Sequence, residues 1–265
     1  MSAVDYRRQT TLITGASAGI GAEFARQIAA RGSAVVLVAR RRERLENLAA
    51  ELAATHGVRA TAIPLDLGLP GVGETLAEEV ARRGLTVTSV VNNAGFGTFG
   101  PFHTEDPQRL REEIAVDIAG LVDISRAFIG PLRSAGDGVL VNVASMAAYL
   151  PVPNMAVYAA AKAFVLSFTE ALWQESRGTG LRVLALSPGA TGTEFFEVTG
   201  TDAAAGGAKM QSPQEVVATA LRALDRRTPP PSVVSGRRNR VMASLSRGLT
   251  RRRAVLVMGS MTGAR

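Results

Sequence analysis

TTLITGASAGIG, residues 10–21, runs an apolar β-branched segment straight into a glycine turn, which opens onto a helix-like stretch, GAEFARQIAARG (21–32). Gly15, Gly19 and Gly21 allow a tight turn, close approach of the backbone to a pyrophosphate, and close packing of helix on strand. The helix start then offers free N–H groups and the positive end of its dipole to phosphate, with Ser17, Ala18 and Ile20 part of the same binding turn. The spacing is Gly-x3-Gly-x-Gly. A bare tight connection has the same look; the position between a first strand and a first helix is what favours a dinucleotide.

Outward from that turn the pattern repeats. Apolar runs at 34–40, 60–67, 87–95, 138–145, 181–189 and 232–236 alternate with helix-like runs at 41–57, 72–84, 107–133 and 212–225, and with the run that carries YAAAK. Continuous apolar strands alternating with helices predict a parallel sheet covered on both faces, an α/β doubly wound fold. No composition break marks a second domain. The expected organisation is one dinucleotide-binding catalytic domain over 1–236 and a basic helical tail over 237–265.

The end of the second strand bears on the choice of dinucleotide. An acidic residue there would take both ribose hydroxyls of NAD, but this chain has Ala39-Arg40-Arg41-Arg42 and no acid before Glu43. Arg40 and Arg41 are therefore expected to fork onto a 2′-phosphate, which favours NADP(H); the alternative is a solvated helix start. Asp66, with Leu67 beside it, is placed to accept from the adenine amine. Asn93, Ala94 and Gly95, in NNAG after the fourth strand, would pack backbone against the adenosine side.

The reacting centre follows. Ser145 ends the strand-like run GVLVNVAS, and Tyr158 and Lys162 stand four residues apart on the next helix, sharing a face. Lys162 is one of two lysines in the chain, the other being Lys209; the remaining 28 basic positions are Arg. Reduction of a carbonyl leaves an alkoxide that needs a proton. A phenol can supply it if its pKa is brought down toward working pH, and an ammonium one turn away is expected to do that. A lysine also reaches ribose hydroxyls as a guanidinium would not. Ser145 would hold and polarise the carbonyl oxygen.

Composition limits the alternatives. The chain has 265 residues, is 46% hydrophobic and contains no cysteine, so a large core is available and thiolate metal sites are excluded; no metal is expected. His56 and His103 lie apart in loop-like contexts and are expected at the surface. No signal-like apolar core opens the chain and no run approaches the roughly 18–20 residues of a membrane span, so a cytoplasmic protein is expected. The net charge of +7 sits in the tail: Arg226–Arg265 holds ten arginines and no acid, leaving −3 for residues 1–225. The body therefore carries no nucleic-acid signal, and no nucleic-acid partner is expected.

These residues resemble the short-chain dehydrogenases/reductases over nearly the whole chain: TGASAGIG (14–21), NNAG (92–95), Ser145, YAAAK (158–162) and SPG (187–189). The resemblance implies a Rossmann-type fold with a seven-stranded parallel sheet, NAD(P) binding and a Ser-Tyr-Lys catalytic set. NNAGFGTFGPF and PVPNMAVYAAAKAFVLSFTEAL are most similar to a bacterial, NADP-preferring branch. By the same match Pro188 and Gly189 belong to the cofactor site, and Thr191 or Thr193 contacts the nicotinamide amide or the diphosphate. The chain departs from the family at Asp117, which stands where the family places a helix-kinking catalytic Asn that supports a proton-relay water.

The expected function is NADP(H)-dependent hydride transfer between nicotinamide and an apolar carbonyl or secondary alcohol, with Tyr158 as acid and base. Phe96, Phe99, Phe102, Phe195 and Phe196 are expected to supply an apolar wall, and the stretch 194–211 a lid; the alternative is that these are core phenylalanines. A second class is an NADP-holding sensor with weak turnover, for which Asp117 is the motive. A homodimer or homotetramer is expected. In the tail, Val241, Met242, Leu245 and Leu249 recur at helical spacing among Arg238, Arg240, Arg247 and Arg251–Arg253. Such a stripe is expected to cover its own domain or a sister subunit, with a membrane surface as the alternative.

Overall fold

In the computed structural model, which describes residues 4–201, 209–246 and 248–263, seven strands form one parallel sheet. They are β1 (Thr10–Thr14), β2 (Ala34–Ala39), β3 (Ala60–Pro64), β4 (Ser89–Asn92), β5 (Val139–Val143), β6 (Arg182–Ser187) and β7 (Ser232–Val234). The order across the sheet is β3-β2-β1-β4-β5-β6-β7. The chain thus leaves β1 in one direction and returns beside it at β4, which makes the β1/β4 edge the point where strand order reverses. Ligands of open α/β sheets bind there, outside the carboxyl ends of the strands.

Alternate residues along each strand feed two cores. Ile13, Val35, Leu37, Val141 and Leu184 point to the face covered by α1 (Gly19–Ala29), α2 (Arg42–His56) and α8 (Pro213–Leu224), where Phe24, Ile28, Leu45 and Leu221 pack. Leu12, Val36, Val38, Val90 and Leu140 point to the other face, against Leu76 of α3 (Val72–Arg82) and Ile124, Phe128 and Leu132 of α5 (Leu121–Ala135). Both sides of every central strand are dry, so the strand sequences are continuous apolar runs and not alternating ones. Each fully buried Leu, Ile or Phe contributes about 1.5–3 kcal/mol.

Local signals set the helix ends. Asp106 caps α4 (Pro107–Ile114) by accepting from Gln108 N at 2.9 Å, and Ser212 and Glu215 form a reciprocal capping box at α8. The long helix predicted over 107–133 is present but interrupted: Ala115–Gly120, with Asp117 inside it, takes one π-helical turn before α5 begins. The helix that carries YAAAK is α6 (Ala156–Glu175). A short α7 (Phe195–Thr199) follows β6.

The tail forms two helices, α9 (Arg237–Ser246) and α10 (Arg251–Thr262), where the sequence suggested one. The apolar stripe read from the sequence also faces the other way. Val241, Met242, Leu245 and Leu249 are exposed, and α9 packs inward through Asn239 and Ala243. Small and polar side chains let the helix lie close to the domain edge. Arg247, the remaining tail residue of that pattern, lies outside the described residues, as do 202–208 of the 194–211 stretch.

Candidate active site

A cleft of about 1270 Å³ runs along the carboxyl ends of the strands. It is lined by the turn residues Gly15, Ser17, Ala18, Gly19 and Ile20, by Arg40 and Arg41, by Asp66 and Leu67, and by Asn93, Ala94 and Gly95. Ser145, Tyr158, Lys162, Pro188, Gly189, Thr191 and Thr193 line it too. Of the residues assigned from the sequence to catalysis or cofactor binding, Gly21 and Asp117 do not line it.

The phosphate turn takes the conformation its glycines allow. Gly15 and Gly19 have φ of 64° and 55°, a left-handed backbone that other residues adopt at a cost. A Cβ at Gly21 would collide with the Gly15 carbonyl oxygen and stand 2.5 Å from Asn93 Nδ2, so this glycine serves packing behind the turn. The N-terminus of α1 has no side-chain cap and no acid in its first turn, which leaves its N–H groups for an anion. Thr14 ties NNAG to this turn: its hydroxyl oxygen accepts from Asn93 N at 2.9 Å and Ala94 N at 3.0 Å.

At the adenosine end Arg41 is already engaged. Its Nε and Nη2 donate to Ser17 Oγ at 3.1 and 2.9 Å, and its Nη1 donates to Glu194 Oε2 at 2.7 Å. Arg44 holds the other oxygen of Glu194. The two guanidiniums, Arg44 foremost, keep the Glu194 carboxyl below the usual carboxylate range. Arg40 lines the cleft and is exposed. Asp66 accepts from Gly68 N at 3.0 Å. Thr193 lies against the turn, its Cγ2 2.9 Å from where a Cβ on Gly19 would stand, whereas the Thr191 hydroxyl turns back to Gly189 O at 2.9 Å.

At the centre, Ser145 leaves β5 with extended backbone, and its Oγ accepts from Ala147 N at 3.1 Å. Tyr158 and Lys162 share one face of α6, with Nζ 5.5 Å from the phenol ring centroid. Lys162 is buried; its Nζ donates to Val143 O at 3.4 Å and pairs with Asp117 Oδ2 at 2.8 Å. Asp117 is fully buried, and its Oδ1 accepts from Phe96 N at 3.0 Å. Burial pulls the lysine down, but Asp117 and Tyr158 outweigh it and its pKa is raised. Burial likewise raises Asp117, against the pull of Lys162.

Lys162 does pull the phenol down, but the expectation that this brings Tyr158 toward working pH is not met. Burial dominates and pushes Tyr158 above its ordinary value; Lys162 and the hydrogen bond with Ser145 oppose it, while Asp117 and Glu113 add to it. The physical reason is burial first; the Asp117 carboxylate, 2.8 Å from Nζ, adds to it and offsets part of the ammonium's pull.

Three features escaped the sequence reading. Glu113, one turn before Asp117, is fully buried, and its Oε2 accepts from Thr98 N at 3.1 Å. Burial, and then Asp117, push its pKa up to about 7. Two acids four apart in the apolar run EIAVDIAG are the signal that could have found it. The second is Glu194. The third is methionine: all six described methionines, Met146, Met155, Met210, Met242, Met258 and Met261, line the cleft. Of the five phenylalanines, Phe96, Phe195 and Phe196 line it; Phe99 packs beside Val152, Met155 and Ala159, and Phe102 is exposed. Phe195 packs on Tyr158 with ring centroids 5.2 Å apart.

Residues 9–204 match the family model described as short chain dehydrogenase. Over 197 residues the chain is 38% identical to sulfoacetaldehyde reductase 2 of Chromohalobacter salexigens, covering 73% of this chain and 77% of that one. It is 32% identical to a 7beta-hydroxysteroid dehydrogenase of Collinsella aerofaciens, with 86% of each chain covered. Among solved structures, a short-chain dehydrogenase from Sphingobium yanoikuyae in complex with NADPH superposes with a TM-score of 0.78 at 31% identity, over 91% of this chain and 94% of that one.

Proposed function

The chain belongs to the short-chain dehydrogenase family, and from that premise we propose that it interconverts a bulky, apolar ketone and its secondary alcohol. It is an oxidoreductase that uses NADP(H). The residues fit a phosphorylated dinucleotide. The uncapped start of α1 suits the diphosphate, and the Arg41 fork with the Ser17 hydroxyl at 2.9 Å suits a 2′-phosphate. Thr193, lying on Gly19 of the turn, would be the threonine that meets the diphosphate; Asp66 and the backbone of Asn93–Gly95 would flank the adenosine.

When bound, NADPH supplies the hydride. The protein's part is orientation and proton supply. Ser145 and Tyr158, whose side chains are within hydrogen-bonding reach of each other, would together hold the carbonyl oxygen. The Tyr158 phenol, held protonated by burial, gives its proton to the oxygen as negative charge develops there. Lys162 stabilises the phenolate left behind, and Asp117 keeps Lys162 in place. In the oxidative direction the same phenol must first lose its proton.

The observation that carries the substrate class is the methionine lining, joined by Phe96, Phe195 and Phe196. Unbranched, polarisable methionines adapt to large apolar ligands and offer nothing to a small anion. Between the two named relatives, the hydroxysteroid dehydrogenase is therefore the better guide. A nicotinamide-absorbance assay over polycyclic and long-chain ketones and small charged aldehydes tests this. Turnover of only the charged aldehydes would overturn the substrate class. For assembly we propose a homodimer or homotetramer, with the exposed Phe164, stacked on Phe168 of α6, in the contact.

A further inference from the structure

Helices α9 and α10 present two unlike faces. The inner one is satisfied by the protein itself. Asn239 Nδ2 donates to Ser235 O at 2.8 Å, Asn154 Nδ2 donates to Thr262 O at 3.2 Å, Ala243 and Ala254 are buried, and Met258 packs beside Met155 and Ala159. The outer face has no such cover. Of the fourteen exposed large apolar side chains in the described residues, eight fall within 241–261. Leu245 and Leu256 stand 64% and 63% exposed, with Val241, Leu249, Val255 and Val257 around them. Six described arginines accompany them: Arg237, Arg238, Arg240 and Arg251–Arg253. No Asp or Glu occurs from residue 226 to the end.

Apolar groups and unpaired cations together limit what can cover this face. A second copy meeting it across a two-fold axis would set arginines against arginines, with no acid in the segment to match them. A leaflet of anionic lipid offers both an apolar interior and opposite charge. We propose that the outer face of α9 and α10 seats the protein on an anionic membrane surface, the leucines and valines at the acyl boundary and the arginines at the phosphates. At ten and twelve residues the helices are far short of the roughly 20 needed to cross, so they lie in the interface. Arginine stems suit that depth, reaching out to the head groups while their methylenes stay with the lipid. Val241, Met242 and Met261 belong both to this exposed region and to the cleft lining, so the seat adjoins the cleft mouth.

The test is cosedimentation of the full chain with vesicles of equal parts phosphatidylcholine and phosphatidylglycerol, against phosphatidylcholine alone. Binding to the first at least tenfold tighter than to the second, and weakened by raised salt, is expected. Leu245→Glu with Leu256→Glu should abolish it while NADPH affinity and the circular dichroism spectrum stay as in the wild type. Arg252→Ser with Arg253→Ser should weaken it several-fold and flatten the salt dependence. Equal binding to both vesicles, or none to either, would overturn the proposal. So would a loss of dimer or tetramer mass in the leucine double variant by light scattering, which would assign the face to a second copy.

Discussion

Lys162 Nζ lies 2.8 Å from Asp117 Oδ2, and both side chains are shut away from solvent. The pair sets the electrostatics of the phenol one turn away. With its charge matched, the ammonium opposes the burial of Tyr158 without overcoming it. Asp117→Asn keeps an acceptor for Phe96 N and removes the matching charge. The Tyr158 pKa should then fall, because the carboxylate is one of the charges that raise it. Alcohol oxidation needs the deprotonated phenol, so its rate rises with pH through that pKa, and the midpoint should move to lower pH in the variant. The pH profile of kcat/KM for oxidation measures this. An unmoved midpoint would show that Asp117 does not act through Lys162. Asp117→Ala, which also strands a buried ammonium, should cost about 3–5 kcal/mol of stability.

The proton donor is tested more directly. Tyr158→Phe leaves the ring packed on Phe195 and removes only the hydroxyl, so turnover should drop by roughly 10²–10⁴ with NADPH affinity nearly intact. Lys162→Arg should also fail. A planar fork cannot reproduce one nitrogen placed between Val143 O and Asp117, and a Cβ at Gly95 would already stand 2.9 Å from Nζ, which shows how little room there is. Near-wild-type turnover in either variant would remove that residue from the mechanism.

Most of this site is readable in the chain because it is made of local patterns. The turn at 14–21, the i,i+4 pair Tyr158 and Lys162, and Ser145 at a strand end each follow from spacing along one element. What the sequence hid depends on contacts between distant elements. That Tyr158 is raised and not lowered depends on its burial among distant elements, with Asp117 of the π-helical turn, facing Lys162 of α6, adding to it. That Glu194 occupies the Arg41 fork depends on a loop 153 positions away. The outward stripe of α9 was legible as a periodicity, but periodicity alone does not say which side of a helix meets the protein. Here a side of small and polar residues, Ala243 and Asn239, does so.

Glu113 links the site to stability. Its carboxyl titrates at about 7 in the folded chain against 4.5 when unperturbed, because it is buried and close to Asp117. A raised carboxyl favours the folded state below its unfolded value, and that contribution is lost as pH rises through the folded one. Wild-type stability should thus decline between about pH 4.5 and 7 by up to about 3 kcal/mol from this group. Glu113→Gln retains an acceptor for Thr98 N and cannot ionise. The difference in Tm between variant and wild type should therefore grow in the variant's favour across that window and level off above it. A difference independent of pH would mean that Glu113 does not hold its proton.

Cofactor choice turns on a competition at Arg41. Its Nη1 is held by Glu194 while its Nε and Nη2 hold Ser17, so a 2′-phosphate must share or displace the carboxylate. Arg41→Ala should cost NADPH about 10- to 150-fold in affinity, the range of charge-assisted hydrogen bonds of about 1.5–3 kcal/mol, and should barely affect NADH. Arg40→Ala should cost less, because that side chain is exposed. Glu194→Gln removes the competitor. The pair is about two-fifths exposed, so it is screened, and NADPH should tighten by only about two- to fivefold. The two changes are coupled through one guanidinium: with Arg41 already replaced, Glu194→Gln should no longer help. Fluorescence titration of both cofactors against the two single variants and the double variant closes the cycle. If Glu194→Gln tightens NADPH equally with and without Arg41, the carboxylate repels the cofactor directly and does not act by occupying the fork.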